Sequence, residues 1–164
     1  MEQFDITLGV TRSFEIANIG RITFTKWSSN KAEIALADNS IYQMVPRGIW
    51  GVQYDVVKDG QPLYQSKMSF WGKITITPIK EAHHFFTLKH KGYKGGYVLQ
   101  NYKGEEIARI IQNFTWKSFK STYTLSTQPG FTQAEQGKLL VLLLGYHYRA
   151  MQSAAMSTGA VAGQ

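Results

Sequence analysis

The chain has 164 residues, 43% of them hydrophobic and 13% aromatic, and a net charge of +7. These values fit one globular domain that buries about two thirds of its surface on folding, and they exclude a disordered chain. There is no cysteine, which excludes disulfides, thiolate metal sites and cysteine nucleophiles and points to a reducing compartment.

The charge is unevenly spread. Residues 1–57 hold five basic and six acidic side chains, residues 58–120 eleven and four, and residues 121–164 two and one. A positive field centred in the middle of the chain favours an anionic partner: nucleic acid, a lipid headgroup or an acidic protein. The alternative is a lysine-rich outer face that only confers solubility. The N-terminus, MEQFDITLGVTRSFE, has early acids and no apolar run, so no secretory signal is expected there.

From residue 4 to 126 the chain reads as short strands. Phe4–Gly9 and Ser13–Ala17 form a first pair. In 21–27, Ile22 and Phe24 alternate with Arg21, Thr23 and Thr25; in 31–37, Ala32, Ile34 and Leu36 alternate with Lys31 and Glu33. This period of two marks strands with one buried face. Strands follow over 41–45, 52–56, 63–68, 73–77, 85–91, 97–102, 107–113 and 120–126, with Pro46-Arg47-Gly48 read as a break. Asp59-Gly60 is the strongest hairpin signal. The total is about twelve strands, and their short connections require antiparallel neighbours.

A faint repeat runs through this region. Asp38-Asn39 precedes Ile49-Trp50-Gly51, Asp59-Gly60 precedes Phe70-Trp71-Gly72, and Lys103-Gly104 precedes Phe114-Thr115-Trp116-Lys117. Since tryptophan is highly buried on average, each is expected to plug a gap where the chain turns. The alternative is a set of exposed aromatics for stacking on bases or entering a membrane interface.

Pro129-Gly130 separates the last strand from a helix expected over 133–156, with Thr132-Gln133-Ala134-Glu135 as a capping box. Residues 157–164 have no pattern and are expected to fray as a flexible tail. Leu139, Leu140, Val141, Leu142, Leu143 and Leu144 follow one another without a polar residue, which leaves the helix no face for water. Its apolar core, 139–146, is only about 12 Å long, against about 30 Å for a bilayer's hydrocarbon layer. Extending the segment to Met156 would bring His147, Arg149, Gln152 and Ser153 into that layer. No transmembrane span is therefore expected. A closed barrel of about twelve strands has an interior too wide for strand side chains alone to fill, and a central helix fills it. The expected fold is mainly β: one domain over 1–156, a closed antiparallel barrel of about twelve strands around a central hydrophobic C-terminal helix.

In element order the chain resembles the tubby C-terminal superfamily, which includes the phospholipid scramblases and the LURP-one-related proteins. SFWGKITI (69–76), GGYVLQNYKGEEIARI (95–110) and LLVLLLGYHY (139–148) carry the resemblance, which covers roughly 4–156. It implies a twelve-stranded barrel around a helix and association with membrane lipid through basic side chains. The chain lacks the cysteine cluster and acidic calcium loop of scramblases, so the LURP-one-related proteins are the nearer match.

Catalytic motifs are missing: there is no G-x-S-x-G, phosphate-binding loop, H-E-x-x-H or G-x-G-x-x-G. His83, His84 and His90, read as parts of one strand, do not converge on a metal, since His84 and His90 would stand about 20 Å apart. No metal or cofactor is expected. The basic residues carry more. Lys89 and Lys91 share a strand face, Lys94 sits in the next turn, Lys67 and Lys73 flank Trp71, and Lys117 and Lys120 follow Trp116. Arg109, alternating with Ile107 and Ile111, is either an anion anchor or an ion-pair partner.

The function expected is that of a non-enzymatic, cytoplasmic, membrane-peripheral binding domain. It would recognise anionic phospholipid, or another phosphorylated ligand, through Lys67, Lys73, Lys89, Lys91, Lys94, Arg109, Lys117 and Lys120. Two alternatives remain: a nucleic-acid- or protein-binding module using the same surface, and an enzyme or small-ligand carrier with its pocket at a barrel mouth.

Overall fold

The computed structural model describes residues 1–8, 13–24, 31–48, 53–92, 96–115 and 120–159. The described residues form twelve strands, β2 to β5 alternating most clearly between inward and outward side chains: β1 (Glu2–Leu8), β2 (Ser13–Ile16), β3 (Gly20–Phe24), β4 (Ala32–Leu36), β5 (Ile41–Arg47), β6 (Gln53–Lys58), β7 (Gln61–Met68), β8 (Ile74–Pro78), β9 (Phe86–His90), β10 (Tyr97–Gln100), β11 (Glu106–Thr115) and β12 (Lys120–Thr127). Each pairs antiparallel with its neighbours in sequence, so the sheet is an up-and-down meander. It closes through β1, whose first half (Glu2–Asp5) pairs with β12 and second half (Ile6–Leu8) with β2. Closure leaves no edge strand open to a second chain.

One apolar residue in every two points inward. Ile22, Ile34, Met44, Val56, Ile74, Ile76, Leu88, Leu99, Ile110 and Leu125 are all buried, while Glu15, Arg21, Thr23, Glu33, Gln43 and Gln65 face out and are exposed. This polarity is the reverse of a bilayer-spanning barrel, which is apolar outside. Asp59 and Gly60 both take positive φ, 52° and 76°, the geometry of a two-residue hairpin whose twist matches its strands.

The helix α1 (Glu135–Gly159) fills the barrel. Leu139 through Leu144 are all 0% exposed, so strands meet the helix on every side. Gly145 sets the closest approach: a methyl group there would stand 2.1 Å from Cζ of Phe14 on β2. None of the described helices is long and apolar enough to cross a membrane.

Three expectations need correction. Pro46 does not break β5; it pairs with Tyr54 in register, at the end of the strand where a missing donor is tolerated. The capping box does not form either. Phe131–Gln133 make a turn of 3-10 helix, Ala134 is extended, and α1 begins one residue later. Thr132 instead donates to the Glu2 carboxylate, which also accepts from the Gly130 amide, and Glu135 accepts from Tyr42 and Lys58. The sequence pattern shows local partners only, whereas these come from β1, β5 and β6. Finally, α1 continues past 156 to Gly159, because nothing in Ser157-Thr158 stops a helix before that glycine.

The seat of the helix sets the stability of the whole. Leu142→Asp is expected to abolish folding, because an unpaired charge would sit where every neighbour is apolar. Leu142→Ala should cost about 2–5 kcal/mol and Gly145→Ala about 1–3 kcal/mol in urea denaturation followed by far-UV circular dichroism. A folded, cooperatively melting Leu142→Asp protein would contradict a fully enclosed helix.

Candidate anion-binding face

An up-and-down barrel turns alternately at two rims. The chain passes β1–β2, β3–β4, β5–β6, β7–β8, β9–β10 and β11–β12 at one rim, here the front, and makes the other turns at the back. The helix enters from the back, where its Lys138 bonds Asp38, and runs towards the front, where Arg149 bonds the Ser13 carbonyl. In sequence, the six front connections hold seven Lys or Arg, no Asp or Glu, and all four tryptophans. The back connections hold four acids, two lysines and no tryptophan. Of the front connections, residues 69–73 are described in full.

Four of the expected lysines come together on the outer face of β7–β9 near this rim. Lys67 on β7 pairs in register with Thr75 on β8 and Gln53 on β6. Ile74 of β8 pairs with Leu88 of β9, and one residue further towards the rim stand Lys73 and Lys89. Lys73 is the last residue of the β7–β8 turn, just outside the paired part of that ladder. Lys91 follows at the end of β9. Lys67, Lys73 and Lys91 are exposed and Lys89 is half-buried. Lys89 pairs across the ladder with Val98, which in turn pairs with Arg109. Val98 faces outward, between the buried inward-facing Tyr97 and Leu99, yet is itself wholly buried. The stems of Lys89 and Arg109 on either side are placed to cover it, leaving their charged heads at the surface.

Arg109 resolves to the second of its two expected roles. Its Nε and a terminal nitrogen donate to the two Glu106 oxygens at 2.6 and 2.7 Å. Lys91 donates to the same carboxylate at 3.3 Å. Arg109, and after it Lys91, hold the Glu106 carboxyl below its ordinary pKa. The face thus sets five cations, Lys67, Lys73, Lys89, Lys91 and Arg109, against one carboxylate. Among the described residues no carboxylate lies within ion-pair distance of Lys67, Lys73 or Lys89. Lys94 and Lys117 lie outside the described residues, as does the side chain of Lys120, the first residue of β12.

The β7–β8 turn overturns the expectation that its tryptophan is a plug. Phe70 is 95% and Trp71 89% exposed. Inward positions end at Met68 and Ile74, so the five residues of turn between them have no interior left to fill. The turn itself is tightly held. The Gly72 amide donates to the Ser69 carbonyl at 3.0 Å, the Ser69 amide to the Lys73 carbonyl at 2.8 Å, and the Lys73 amide to Ser69 Oγ at 3.2 Å. Gly72 supplies the left-handed φ of 74° that closes it. Trp50 and Trp116 lie outside the described residues.

Two other polar groupings are built differently. His83 and His84 sit in the β8–β9 turn at the back, not on a strand, so alternation does not separate them. Their rings are 4.1 Å apart, and His84 Nδ1 lies 3.0 Å from Glu81. Among the described residues no group of three His, Asp or Glu could hold a metal. Inside the barrel, His147 of α1 lies 2.5 Å from the Tyr54 hydroxyl, the rings stacked with centroids 5.5 Å apart. Burial holds His147 in its neutral form, down to about 3. The Tyr97 hydroxyl is buried with no hydrogen-bond partner among the described residues.

No known protein family, curated protein or solved structure gives a significant match to this chain.

His147 imposes a pH dependence of known sign. Unfolding frees an imidazole that takes up a proton below about 6.5, whereas the folded one resists until about 3. Stability is therefore complete above pH 6.5 and falls as pH drops towards 3, by at most about 1.4 kcal/mol per pH unit. Between pH 6.5 and 5, above the range where ordinary carboxyls titrate, thermal melts of the wild type should lose stability more steeply than those of His147→Gln. Parallel slopes would place the imidazole in contact with water.

Proposed function

We propose that this domain is a non-enzymatic module of tubby-like architecture that docks on anionic phospholipid through the outer face of β7–β9. One observation carries the reading: Lys73, the last residue of the β7–β8 turn, and Lys89 of β9 each lie one residue beyond the Ile74–Leu88 pair, with Lys67 on β7 and Lys91 just after β9 on the same side and one shared carboxylate, Glu106, already engaged by Arg109. Like charges on adjacent strand positions destabilise a sheet, and an anion placed between them relieves that repulsion. The tubby-like part of the reading is supported by the order of elements, twelve antiparallel strands followed by a helix inside the barrel. The domain works as a cytoplasmic protein that joins the membrane peripherally.

A face built on hydrogen-bonded strands and the turns next to them holds its cations in place, suited to a surface densely covered with phosphates. Each ammonium close to an anionic membrane contributes about 1 kcal/mol, so lysines that are individually weak add up when the surface offers many phosphates at once. An enzyme or carrier needs an enclosed volume for its ligand, and here α1 occupies the barrel interior.

Flotation with vesicles of phosphatidylcholine alone and of equal parts phosphatidylcholine and phosphatidylglycerol tests this. The wild type should float only with the anionic vesicles. Lys73→Gln/Lys89→Gln should bind about 30-fold more weakly, at about 1 kcal/mol per lysine, and Glu106→Gln, which releases Arg109 and Lys91, about fivefold more tightly. Absence of the wild type from both vesicle fractions sinks the reading. Salt-dependent binding to mixed-sequence DNA in that case would assign the face to nucleic acid.

A further inference from the structure

We infer that the Phe70–Trp71 turn is a membrane anchor, which enters the interfacial layer of the bilayer and holds the barrel with its front rim towards the lipid. The inference rests on the docking reading above and adds to it a second, apolar contact and a fixed orientation.

Two adjacent large aromatics at 95% and 89% exposure form an apolar apex that folding does not use. Isolated exposed apolar residues are ordinary on a protein surface, but this pair projects from a turn whose backbone is fixed by three hydrogen bonds within 69–73. Little conformational freedom is left to lose on insertion. The ring centroids are 5.5 Å apart and the planes cross at 87°, so each ring packs edge to face on the other. Aromatic side chains concentrate at the headgroup level of membranes, where their apolar bodies and polar edges are both accommodated.

The surroundings select lipid over other partners. Lys67 and Lys73 flank the apex on β7 and just before β8, both exposed, and Lys89 stands beside Lys73. Rings buried among the upper acyl chains would bring these ammonium groups to the level of the phosphates, the arrangement found in basic, aromatic-tipped surface anchors. Single-stranded nucleic acid is a poorer fit, since successive bases stack on parallel platforms and rings crossed at 87° cannot both face one. The chain's own charge distribution agrees with a membrane-facing front. The back connections, which would face away, hold the four acids Asp38, Asp59, Glu81 and Glu105.

The chain has no cysteine, so Phe70→Cys takes a single polarity-sensitive fluorophore, and Lys103→Cys in the β10–β11 turn at the back serves as the control. On equal-part phosphatidylcholine/phosphatidylglycerol vesicles the label at 70 should shift to the blue and be quenched by nitroxide-bearing lipid, and the label at 103 should do neither. Phe70→Ser/Trp71→Ser should keep the wild-type melting temperature while losing about tenfold or more in vesicle affinity, with its salt dependence retained. Labelled protein that floats with the vesicles while the probe at 70 stays in water overturns the anchor and leaves the lysine face standing. A blue shift that grows with protein concentration before lipid is added makes a second copy of the chain the occupant and also overturns it. If wild type and variant both ignore the vesicles, the docking reading has failed and the anchor fails with it.

Discussion

Everything in this molecule depends on six consecutive apolar residues finding a place with no water on any side. Leu139 through Leu144 cover the full turn of a helix, and only a closed surface can bury all of it. Twelve short strands provide that surface, and the helix fills an interior that strand side chains alone would leave open. The dependence is mutual. Without the strands the helix would aggregate, and without the helix the barrel would enclose a void. Gly145, against which Phe14 packs, shows how closely the two were fitted.

The fold was legible because its signals are periodic and local. Alternation in Ile22/Phe24 and Ala32/Ile34/Leu36 located strands, Asp59-Gly60 located a hairpin, and the leucine run located the filling. What was not legible depended on partners distant in sequence. Thr132 and Glu135 read as a capping box, but the carboxylate of Glu2 and the side chains of Tyr42 and Lys58 compete for them. Pro46 read as a break because its position at a strand end opposite Tyr54 is a property of the sheet. The lysines of the candidate face were named from the sequence, while their adjacency was not, because it depends on the register Ile74–Leu88. Average burial misread Trp71: the residue type is usually buried, but a turn beyond the last inward positions has no interior to offer.

The helix that makes the fold also determines where function can lie. The lumen is filled with leucine along Leu139–Leu144, and of its polar groups Tyr54 and His147 pair with each other, while the Tyr97 hydroxyl has no hydrogen-bond partner among the described residues. The recognition proposed above uses the outside and a rim. On the outside, charge is distributed so that acids gather at the back, where Asp38 and Glu135 hold the helix N-terminus through Lys138 and Lys58. Lys138 and the Ser40 amide hold Asp38 down to about 2, well below the ordinary aspartate value. Asp38 and Glu135 are thus engaged in anchoring the helix.

Near the front rim, three cations of the β7–β9 face are not anchored in this way. Lys67, Lys73 and Lys89 have no carboxylate within ion-pair distance among the described residues, although Lys91 and Arg109 share one a few residues away. A sheet under no other demand would intersperse charges of both signs, since like charges on neighbouring strands oppose each other. The same rim carries two aromatics held out on a turn that folding does not need. Unpaired cations and unburied rings both reduce the stability or solubility of the free protein, and they occur at one turn. A bilayer with anionic headgroups relieves both at once, with phosphates for the ammonium groups and an apolar layer just beneath for the rings. A soluble polyanion would relieve only the first. That difference is why the proposal of a membrane partner rests on the aromatic turn more than on the lysine count.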